Sequence, residues 1–358
     1  MAERPVIGGG QPDILTRKSD HLTIITDGRG RQQSRTTGFE AVHFVHNALP
    51  ELDFAAIDTA TSLFGRRIAA PLLVSAMTGG PPEAQPINAA IAEACQALRL
   101  PLAVGSQRIA LEGRGDAGLR GLRRCAPDVP ILANLGAVQL NCDMGIDDCR
   151  RAVDMLQADA LILHLNPLQE AIQPAGDRNF AGLLDRIAAV CSALPVPVGV
   201  KEVGAGLSAQ AGLRLIEAGA RLIDVAGLGG TSWARVEGER GDQALRDLAA
   251  PFADWGIPTA QAVADMAAAL QPGVTLVASG GVRDGLDVAR AIRLGADLAG
   301  QAAGALPAAC AGVEALCAHL EQVIAQLRIA MFCTGSADLA ALRQAPLLPP
   351  LEIKPGGA

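Results

Sequence analysis

The stretch VTLVASGGVRDGLDVARAIRLG (274–295) contains a complete strand–turn–helix unit, and it decides the fold. Its first part, VTLVASGG (274–281), is a short apolar run that ends in small residues, as in parallel strands buried on both faces. Asp284 stands at the N-cap position of the apolar-periodic stretch 285–294, and Gly295 follows as a C-terminal stop signal. The stretch therefore predicts one βα unit of an α/β protein.

The same unit recurs along the chain from residue 71. Eight apolar runs end in small or polar residues: PLLVSAM (71–77), LPLAVGS (100–106), VPILANLG (129–136), ALILHLN (160–166), VPVGVKEV (196–203), RLIDVAG (221–227), VTLVASGG (274–281) and ADLAGQA (296–302). Such units can close as a barrel or lie open as a doubly wound sheet. Because no GxGxxG opens the first unit and the number of units matches a barrel, we predict a (β/α)8 TIM barrel.

The barrel and its flanking segments divide the chain into three parts. Residues 1–70 are more polar and form an N-terminal extension. The barrel occupies 71–345, with a closing C-terminal helix at 308–331, and 346–358 form an irregular tail. The long sixth connection, 229–256, is of the kind that is commonly functional in barrels.

The composition narrows the choice of partners and compartment. The formal net charge of −7 argues against nucleic acid or an anionic membrane as the main partner. Residues 1–11 do not resemble a signal peptide, and no apolar run reaches the roughly 18 residues of a membrane-spanning helix, so we expect a cytoplasmic protein. The eight cysteines lack CxxC or zinc-type spacing, which favours buried reduced thiols.

The loop after the seventh apolar run is the first candidate binding site, because the reactive groups of barrels sit at the carboxyl ends of strands. Gly280 and Gly281 let backbone amides approach an anion, and the helix after Asp284 adds its positive N-terminus. The small residues 300–304 leave space for the same group. We predict a phosphate site between these loops; two ordinary glycine turns are the alternative.

Other strand ends suggest what carries the phosphate. Lys201 would point its ammonium into the mouth of the barrel, where it needs an anionic partner. Ser106 and Asn134 can bind the edge of a heteroaromatic ring, and residues 77–80 can lie along its face. Together they suggest a flat phosphorylated cofactor such as FMN; a surface lysine without a role is the alternative for Lys201.

The stretch HLNPLQE (164–170) places several polar side chains and the Glu170 carboxylate at the end of the fourth run. A single carboxylate suits Mg²⁺, which keeps waters and is completed by phosphate oxygens. The alternative for Glu170 is a first-turn helix residue stabilised by the dipole. Near the N-terminus, Arg17, Lys18 and His21 could clamp a diphosphate, or could simply be solvated.

These residues carry a family resemblance that spans nearly the whole chain. The chain resembles type 2 isopentenyl-diphosphate isomerase through TRKSDHL (16–22), RTTGFEAVHFVHNALPELD (35–53), AMTGG (76–80), AVGSQR (103–108), ANLGA (133–137), HLNPLQE (164–170), VKEVG (200–204), GGTSW (229–233) and ASGGVRD (278–284). The resemblance implies redox-neutral interconversion of isopentenyl and dimethylallyl diphosphates. It also implies reduced FMN, Mg²⁺, NADPH as the reductant, and a homotetramer or homo-octamer.

The resemblance also assigns residues. It implies FMN contacts at Ala76, Met77, Thr78, Ser106, Asn134, Lys201, Thr231, Gly280, Gly281, Val282, Ala302 and Ala303. It implies substrate contacts at Arg17, Lys18 and Gln169, a Mg²⁺ ligand at Glu170, and help in holding the diphosphate from His21, His164 and Asn166. Ala303 departs from the glycine expected in many relatives but keeps its backbone amide. Our hypothesis gives the proton chemistry to the flavin, with Gln169 as the catalytic residue that orients or relays.

Three other interpretations compete. An FMN-dependent 2-hydroxy acid oxidase or dehydrogenase would share the phosphate loop, but those enzymes use active-site tyrosines and this chain has none. A phosphate-dehydrogenase barrel would need a cysteine in the sixth connection, and residues 227–260 contain none. A non-catalytic phosphometabolite-binding barrel would be expected to lack part of the site set.

Overall fold

A closed barrel of eight parallel strands forms the centre of the molecule. The computed structural model describes residues 14–31, 34–77 and 80–349. The barrel strands are β3 (Leu72–Val74), β4 (Leu102–Ala103), β5 (Ile131–Gly136), β6 (Ala160–His164), β7 (Val198–Lys201), β8 (Leu222–Asp224), β9 (Thr275–Ser279) and β10 (Leu298–Gln301). Each pairs with its neighbour in chain order, and β10 closes onto β3. The predicted (β/α)8 barrel is confirmed, and each strand lies within one of the predicted apolar runs.

Helices surround the barrel and bury its outer face. The α-helices of the described residues are α1 (Ile14–Thr26), α2 (Ala84–Leu98), α3 (Arg108–Leu111), α4 (Leu122–Cys125), α5 (Ile146–Leu156), α6 (Pro167–Ile172), α7 (Leu183–Ala193), α8 (Ala209–Glu217), α9 (Trp233–Arg240), α10 (Gln243–Ala249), α11 (Thr259–Ala269), α12 (Gly285–Arg293), α13 (Leu306–Ala311), α14 (Val313–Thr334) and α15 (Leu339–Gln344). As predicted, Asp284 caps α12, and its side chain accepts a 2.9 Å hydrogen bond from Asp287 N.

A hairpin closes the amino end of the barrel, and the sequence did not predict it. Strands β1 (Thr61–Leu63) and β2 (Arg66–Ile68) pair antiparallel in the segment expected to be a polar extension. Leu63 and Ile68 are buried against the inward-facing residues of the barrel strands, such as Leu132. The hairpin therefore completes the barrel core, and its three-residue strands are too short to be recognised by periodicity.

Other parts of the flanking segments also differ from the prediction. The closing helix is two helices, α13 and α14, because Gly312 adopts a φ of 113° between them. The tail begins with a bridge between Leu347 and Phe44. The eight cysteines are free, but only Cys95 and Cys149 are buried; four are partly buried, and Cys142 and Cys310 are exposed, so the expectation of burial was wrong for the last two and met in full by only the first two. The boundary at residue 70 stays a prediction.

No helix in the described ranges combines the length and apolar character needed to cross a membrane. The longest is α14, which has 22 residues and packs Leu316, Leu320 and Leu327 into the core. Its opposite face carries polar residues, as in a helix that covers a barrel.

Asp159 ties the hairpin to the amino end of the barrel. Its Oδ1 accepts a 2.6 Å hydrogen bond from Arg66 Nε, and its Oδ2 accepts from Arg123 Nη2 at 2.7 Å and from Ile131 N at 2.9 Å. Asp159→Ala is therefore expected to lower the free energy of unfolding by about 2 kcal/mol, because two arginines lose their shared partner. Urea denaturation of the protein without added cofactor measures this.

Arg67→Ala is the matched control for Asp159→Ala. Arg67 is the neighbour of Arg66 in β2, but its side chain is 78% exposed and lies 3.8 Å from Asp58. Its removal is expected to change the free energy of unfolding by less than about 0.5 kcal/mol. Equal effects of the two substitutions would contradict the role given to Asp159.

Candidate functional site

A large cavity opens at the carboxyl ends of the barrel strands. Its volume is about 470 Å³, within the usual range for small-molecule sites. Most of the predicted site residues line it: Lys18, His21, Ala76, Met77, Ser106, Asn134, His164, Gln169, Lys201, Thr231, Gly280, Gly281, Val282, Ala302 and Ala303. Helix α1 lies over the cavity of its own chain, because Ser232 N donates to Gly30 O and Arg31 forms a bridge with Thr231.

Three of the predicted residues that the structure describes do not line this cavity. Arg17 lies beside it on α1, within electrostatic reach of Glu237 and Glu170. Asn166 and Glu170 are buried at the start of α6, with 4% and 8% of their surface exposed. Thr78 lies outside the described residues. Every predicted cofactor residue except Thr78 therefore lines the cavity. Glu170, the predicted metal ligand, lies behind the cavity wall.

The loops after β8 and β9 pack backbone against backbone and form one side of the cavity. Gly280 and Gly281 have φ values of 102° and 75°, a region that favours glycine. A Cβ at Gly281 would lie 2.5 Å from Gly229 O, and a Cβ at Gly230 would lie 2.6 Å from Gly281 N. We call Gly229, Gly230, Gly280 and Gly281 the glycine cradle; all four line the cavity, and backbone without side chains is the kind of surface that suits an anion.

One inward-facing residue from the end of each barrel strand forms a layer beneath the cavity. We call it the strand-end layer, and its members are Ser75, Gly105, Asn134, His164, Lys201, Asp224, Ser279 and Gly300. Asn134 Nδ2 donates to Val104 O at 3.0 Å, which leaves its Oδ1 to accept from His164 Nδ1 at 2.8 Å. His164 Nε2 then carries no proton.

His164 stays uncharged in this layer. Burial, together with the charges of Lys201 and Lys18, lowers its pKa to about 3. The neutral ring keeps a hydrogen-bond acceptor at Nε2. Ser75 Oγ is buried and has no hydrogen-bond partner among the described residues, as expected where a ligand group completes the site.

Lys201 is held by the loop that follows β7. Its Nζ donates to Glu202 O at 2.5 Å. The Glu202 carboxylate is buried and turns back to accept hydrogen bonds from the amides of the next four residues, 203–206, at 2.5 to 3.1 Å. This arrangement fixes the loop, and through it the position of the ammonium.

A buried carboxylate that the sequence analysis missed organises the other side of the cavity. Glu237 on α9 is fully buried and accepts from Gln169 Nε2 at 2.9 Å and from Arg240 Nη1 at 2.8 Å. His21 Nε2 lies 3.0 Å from the same carboxylate. Burial favours the protonated form of Glu237, but the adjacent His21 ring, the hydrogen bond from Gln169 and the charge of Arg240 outweigh it and lower its pKa to about 2.

This network fixes the amide of Gln169. Its Nε2 donates to Glu237, and its Oε1 accepts from Asn166 Nδ2 at 3.1 Å. The only signal for Glu237 in the sequence was its place in the long sixth connection, which was predicted to be functional. The stretch WARVEGERG around it is rich in charged residues and resembles a solvated helix.

Glu170 is enclosed by its own loop. Its Oε1 accepts from Asn166 Nδ2 at 2.9 Å, and its Oε2 accepts from Asp177 N at 2.7 Å. Burial raises its pKa, and these hydrogen bonds oppose the rise. No group of three His, Cys, Asp or Glu side chains within the described ranges could hold a metal ion. A cation here would need waters or ligand oxygens in addition to Glu170.

Three cationic side chains lie close together on or behind the cavity wall. Lys18 Nζ donates to Ser106 O at 3.3 Å, and burial together with Arg17 and Arg108 lowers its pKa to about 7. Arg108 was missed, although it lies in the quoted AVGSQR motif; its Nη1 donates to Gln139 at 2.7 Å and to Asp177 at 3.1 Å. Arg17 Nε is buried without a partner among the described residues.

Known proteins that are similar to this chain in sequence include FMN-dependent dehydrogenases and isomerases, in agreement with a barrel that carries an anion site. The model of the family described as FMN-dependent dehydrogenase matches residues 149–348. An isopentenyl-diphosphate delta-isomerase from Stutzerimonas stutzeri (strain A1501) is 57% identical over 337 residues, which cover 94% of this chain and 97% of that protein. One from Xanthobacter autotrophicus (strain ATCC BAA-1158 / Py2) is 58% identical over 333 residues, covering 92% and 96%.

Among solved structures, a mandelate oxidase with (S)-2-phenylpropionate superposes with a TM-score of 0.66 at 20% identity, covering 94% of this chain and 97% of that one. At this identity the likeness shows the fold alone.

The barrel, its glycine cradle and the matching family model define the chain as an FMN-dependent barrel enzyme. More specifically, it belongs to the isopentenyl-diphosphate delta-isomerase family. The predicted family and enzyme class, an isomerase, are thereby confirmed.

Proposed function

We propose that the chain interconverts isopentenyl and dimethylallyl diphosphates without net redox change, using reduced FMN and Mg²⁺. The observation that carries the proposal is that one cavity joins two sites for anions. The glycine cradle lines the cavity, and so does Lys18, with Arg17 and Arg108 close to Lys18 behind the cavity wall. A phosphorylated cofactor and a diphosphate substrate can therefore meet over the strand-end layer.

The residues present fit FMN. The cradle of Gly280 and Gly281 with the small Ala302 and Ala303 suits its phosphate, and Lys201 in the strand-end layer suits an electron-rich ring. Bound reduced FMN supplies a proton-carrying nitrogen and an electron-rich ring face. NADPH is proposed as the reductant that prepares this form, since the isomerisation itself consumes no electrons.

The residues also fit a Mg²⁺ ion that keeps most of its waters. Glu170 offers one carboxylate, and the neighbouring Asn166 Oδ1 is buried without a partner among the described residues. Mg²⁺ is commonly held by one or two carboxylates, with phosphate oxygens and water completing the octahedron. Glu170 and Asn166 lie behind the cavity wall beside Gln169, so a Mg²⁺ ion held by them would act on the diphosphate from that side of the cavity.

The protein's own groups position the substrate for proton transfer. Moving the double bond requires a proton added at the terminal carbon and another removed from C2. The hydrocarbon offers no polar handle, so binding energy must come from the diphosphate. Gln169, locked by Glu237 and Asn166, holds its amide at the cavity wall, where it can orient the substrate or relay a proton. Leu22, Met77 and Trp233 line the cavity and exclude water from the hydrocarbon.

The proposal is tested by supplying isopentenyl diphosphate with FMN, Mg²⁺ and NADPH under anaerobic conditions and omitting each in turn. Formation of dimethylallyl diphosphate without net NADPH consumption is expected, and no product in the complete mixture would contradict it. Consumption of a 2-hydroxy acid by the oxidised protein would instead favour the oxidase.

The cytoplasmic location and the homotetramer or homo-octamer stay predictions. Gel filtration checks the oligomeric state.

Substrate binding is expected to weaken as the pH rises above about 7. Burial, Arg17 and Arg108 lower the pKa of Lys18 to about 7 in the free protein, whereas a bound diphosphate favours its charged form. Binding above this pH therefore takes up a proton, and Kd should rise by about tenfold per pH unit. Below about pH 7 Lys18 is already charged in the free protein, so its titration no longer changes Kd.

Calorimetric titration with isopentenyl diphosphate at constant Mg²⁺ measures this dependence. Lys18→Met serves as the control, since it keeps the length of the side chain without a titrating group. It should bind more weakly than wild type at low pH and lose the rise in Kd above about pH 7. The same pH dependence in both proteins would show that another group titrates.

A further inference from the structure

Lys201 and Asp224 lie side by side at the carboxyl ends of β7 and β8. They are register partners in the parallel ladder, and Asp224 is only 3% exposed. Leu222 packs inside the barrel and Ile223 packs toward the helices, so Asp224 points inward, to the same side as Lys201. A lysine at the cavity floor and a buried aspartate thus share one layer.

The charge of Lys201 opposes the effect of burial most strongly at Asp224, although it also acts on Glu202 behind that residue's backbone hydrogen bonds. His164, its register partner on β6, is neutral near pH 7. Glu202 directs its carboxylate at the four amides of residues 203–206. Within the strand-end layer, Asp224 is therefore the single acid. A buried charge without a partner is costly, so the two groups depend on each other.

Hydrogen bonds fix the Asp224 carboxylate. Its Oδ1 accepts from Ser279 Oγ at 2.7 Å and from Ala226 N at 3.2 Å. Burial raises the pKa of Asp224, and the charge of Lys201 is the strongest effect opposing that rise. Both donors need only an acceptor oxygen, which asparagine also offers. The charge of Asp224 can therefore be removed while its hydrogen bonds remain.

We propose that Asp224 is a residue that acts through Lys201, because its buried carboxylate partly neutralises the Lys201 ammonium at the proposed FMN site. The inference rests on the proposed FMN site. The oxidised ring is neutral, whereas the reduced ring is anionic, so a partly neutralised Lys201 favours the reduced form less than a free ammonium would. Asp224 thereby sets the ratio of the affinities for oxidised and reduced FMN, and it keeps Lys201 from binding the reduced cofactor too tightly.

The test compares the dissociation constants of oxidised and reduced FMN, measured by anaerobic titration. In Asp224→Asn the ratio of the oxidised to the reduced constant should rise at least about tenfold, which for a two-electron couple is about 30 mV. Asp159→Asn removes a carboxylate at the opposite end of the barrel and should leave the ratio unchanged.

Lys201→Gln decides whether the effect acts through the lysine. The shift caused by Asp224→Asn should disappear in the Lys201→Gln background. A wild-type ratio in Asp224→Asn, or an equal shift in both backgrounds, would overturn the inference. Wild-type protein that binds no FMN would instead refute the proposed function.

Should Asp224→Asn alone fail to fold, unfolding temperatures of the cofactor-free proteins decide the question. The double variant Lys201→Gln/Asp224→Asn should be at least as stable as Lys201→Gln, because it removes the aspartate that the single variant leaves without its partner. A less stable double variant would overturn the pairing of the two charges.

Discussion

Gly280→Ala is expected to lower the affinity for FMN by about 100-fold or more. This is the size of effect expected when two backbone amides lose their hydrogen bonds to a charged phosphate. A Cβ at this position would lie 2.5 Å from Gly227 N and closer still to Gly227 O. Both atoms are backbone, so neither can swing aside. The loop after β9 must move away from the loop after β8, which separates the amides of the glycine cradle.

Gly273→Ala is the matched control for this prediction. Gly273 has a φ of +100°, close to the +102° of Gly280, but a Cβ there meets nothing within 4 Å. It carries the same backbone strain of about 1 to 2 kcal/mol without the contact, and it lies at the amino end of β9. Quenching of flavin fluorescence measures both affinities. If the two variants bind FMN equally well, the close approach at Gly280 does not shape the site.

Gln169→Ala is expected to lower kcat by about 100-fold with reduced FMN and Mg²⁺ present, while the affinity for FMN stays unchanged. The amide is held at both ends, by Asn166 and by Glu237, so its orientation at the cavity wall is fixed before substrate arrives. Removing it also leaves the Glu237 carboxylate with one donor fewer. Full turnover in Gln169→Ala would remove the residue from the mechanism.

Two substitutions on α9 separate a positioned amide from general loss of structure. Glu237→Gln keeps the shape but removes the charge that Arg240 and Gln169 share, and it should lower kcat to a similar extent. Because the two residues act as a unit, Gln169→Ala/Glu237→Gln should be little worse than either single variant. Glu239 lies on the same helix, and its side chain is 33% exposed. Glu239→Gln should therefore retain wild-type turnover.

The barrel could be predicted because its strands are buried on both faces. Runs such as VPILANLG and VTLVASGG are almost continuously apolar, and each strand was found inside its predicted run. The β1–β2 hairpin could not be recognised in the same way. Each of its strands has three residues, and only the position of Leu63 and Ile68 under the barrel shows that they belong to its core.

Much of the candidate site could likewise be predicted from the residues at the strand ends. Ser106, Asn134, Lys201 and the glycines after β9 were named from their places after apolar runs, and the parallel barrel brings them to one cavity. What escaped prediction were groups whose importance depends on a distant partner. Glu237 and Asp224 are ordinary acids in sequence, and their roles follow from being buried beside Gln169 and Lys201.

The sequence by itself therefore determined the order of strands, the glycine cradle and the polar residues at the barrel mouth, because these depend on local patterns along the chain. Only the tertiary structure decided which charges meet. Helix α1 closes over α9 and brings His21 to the Glu237 carboxylate, and the ladder of β7 and β8 sets Lys201 beside Asp224. Burial and pairing of charges are properties of contacts between distant segments, and the free energy of each group depends on those contacts.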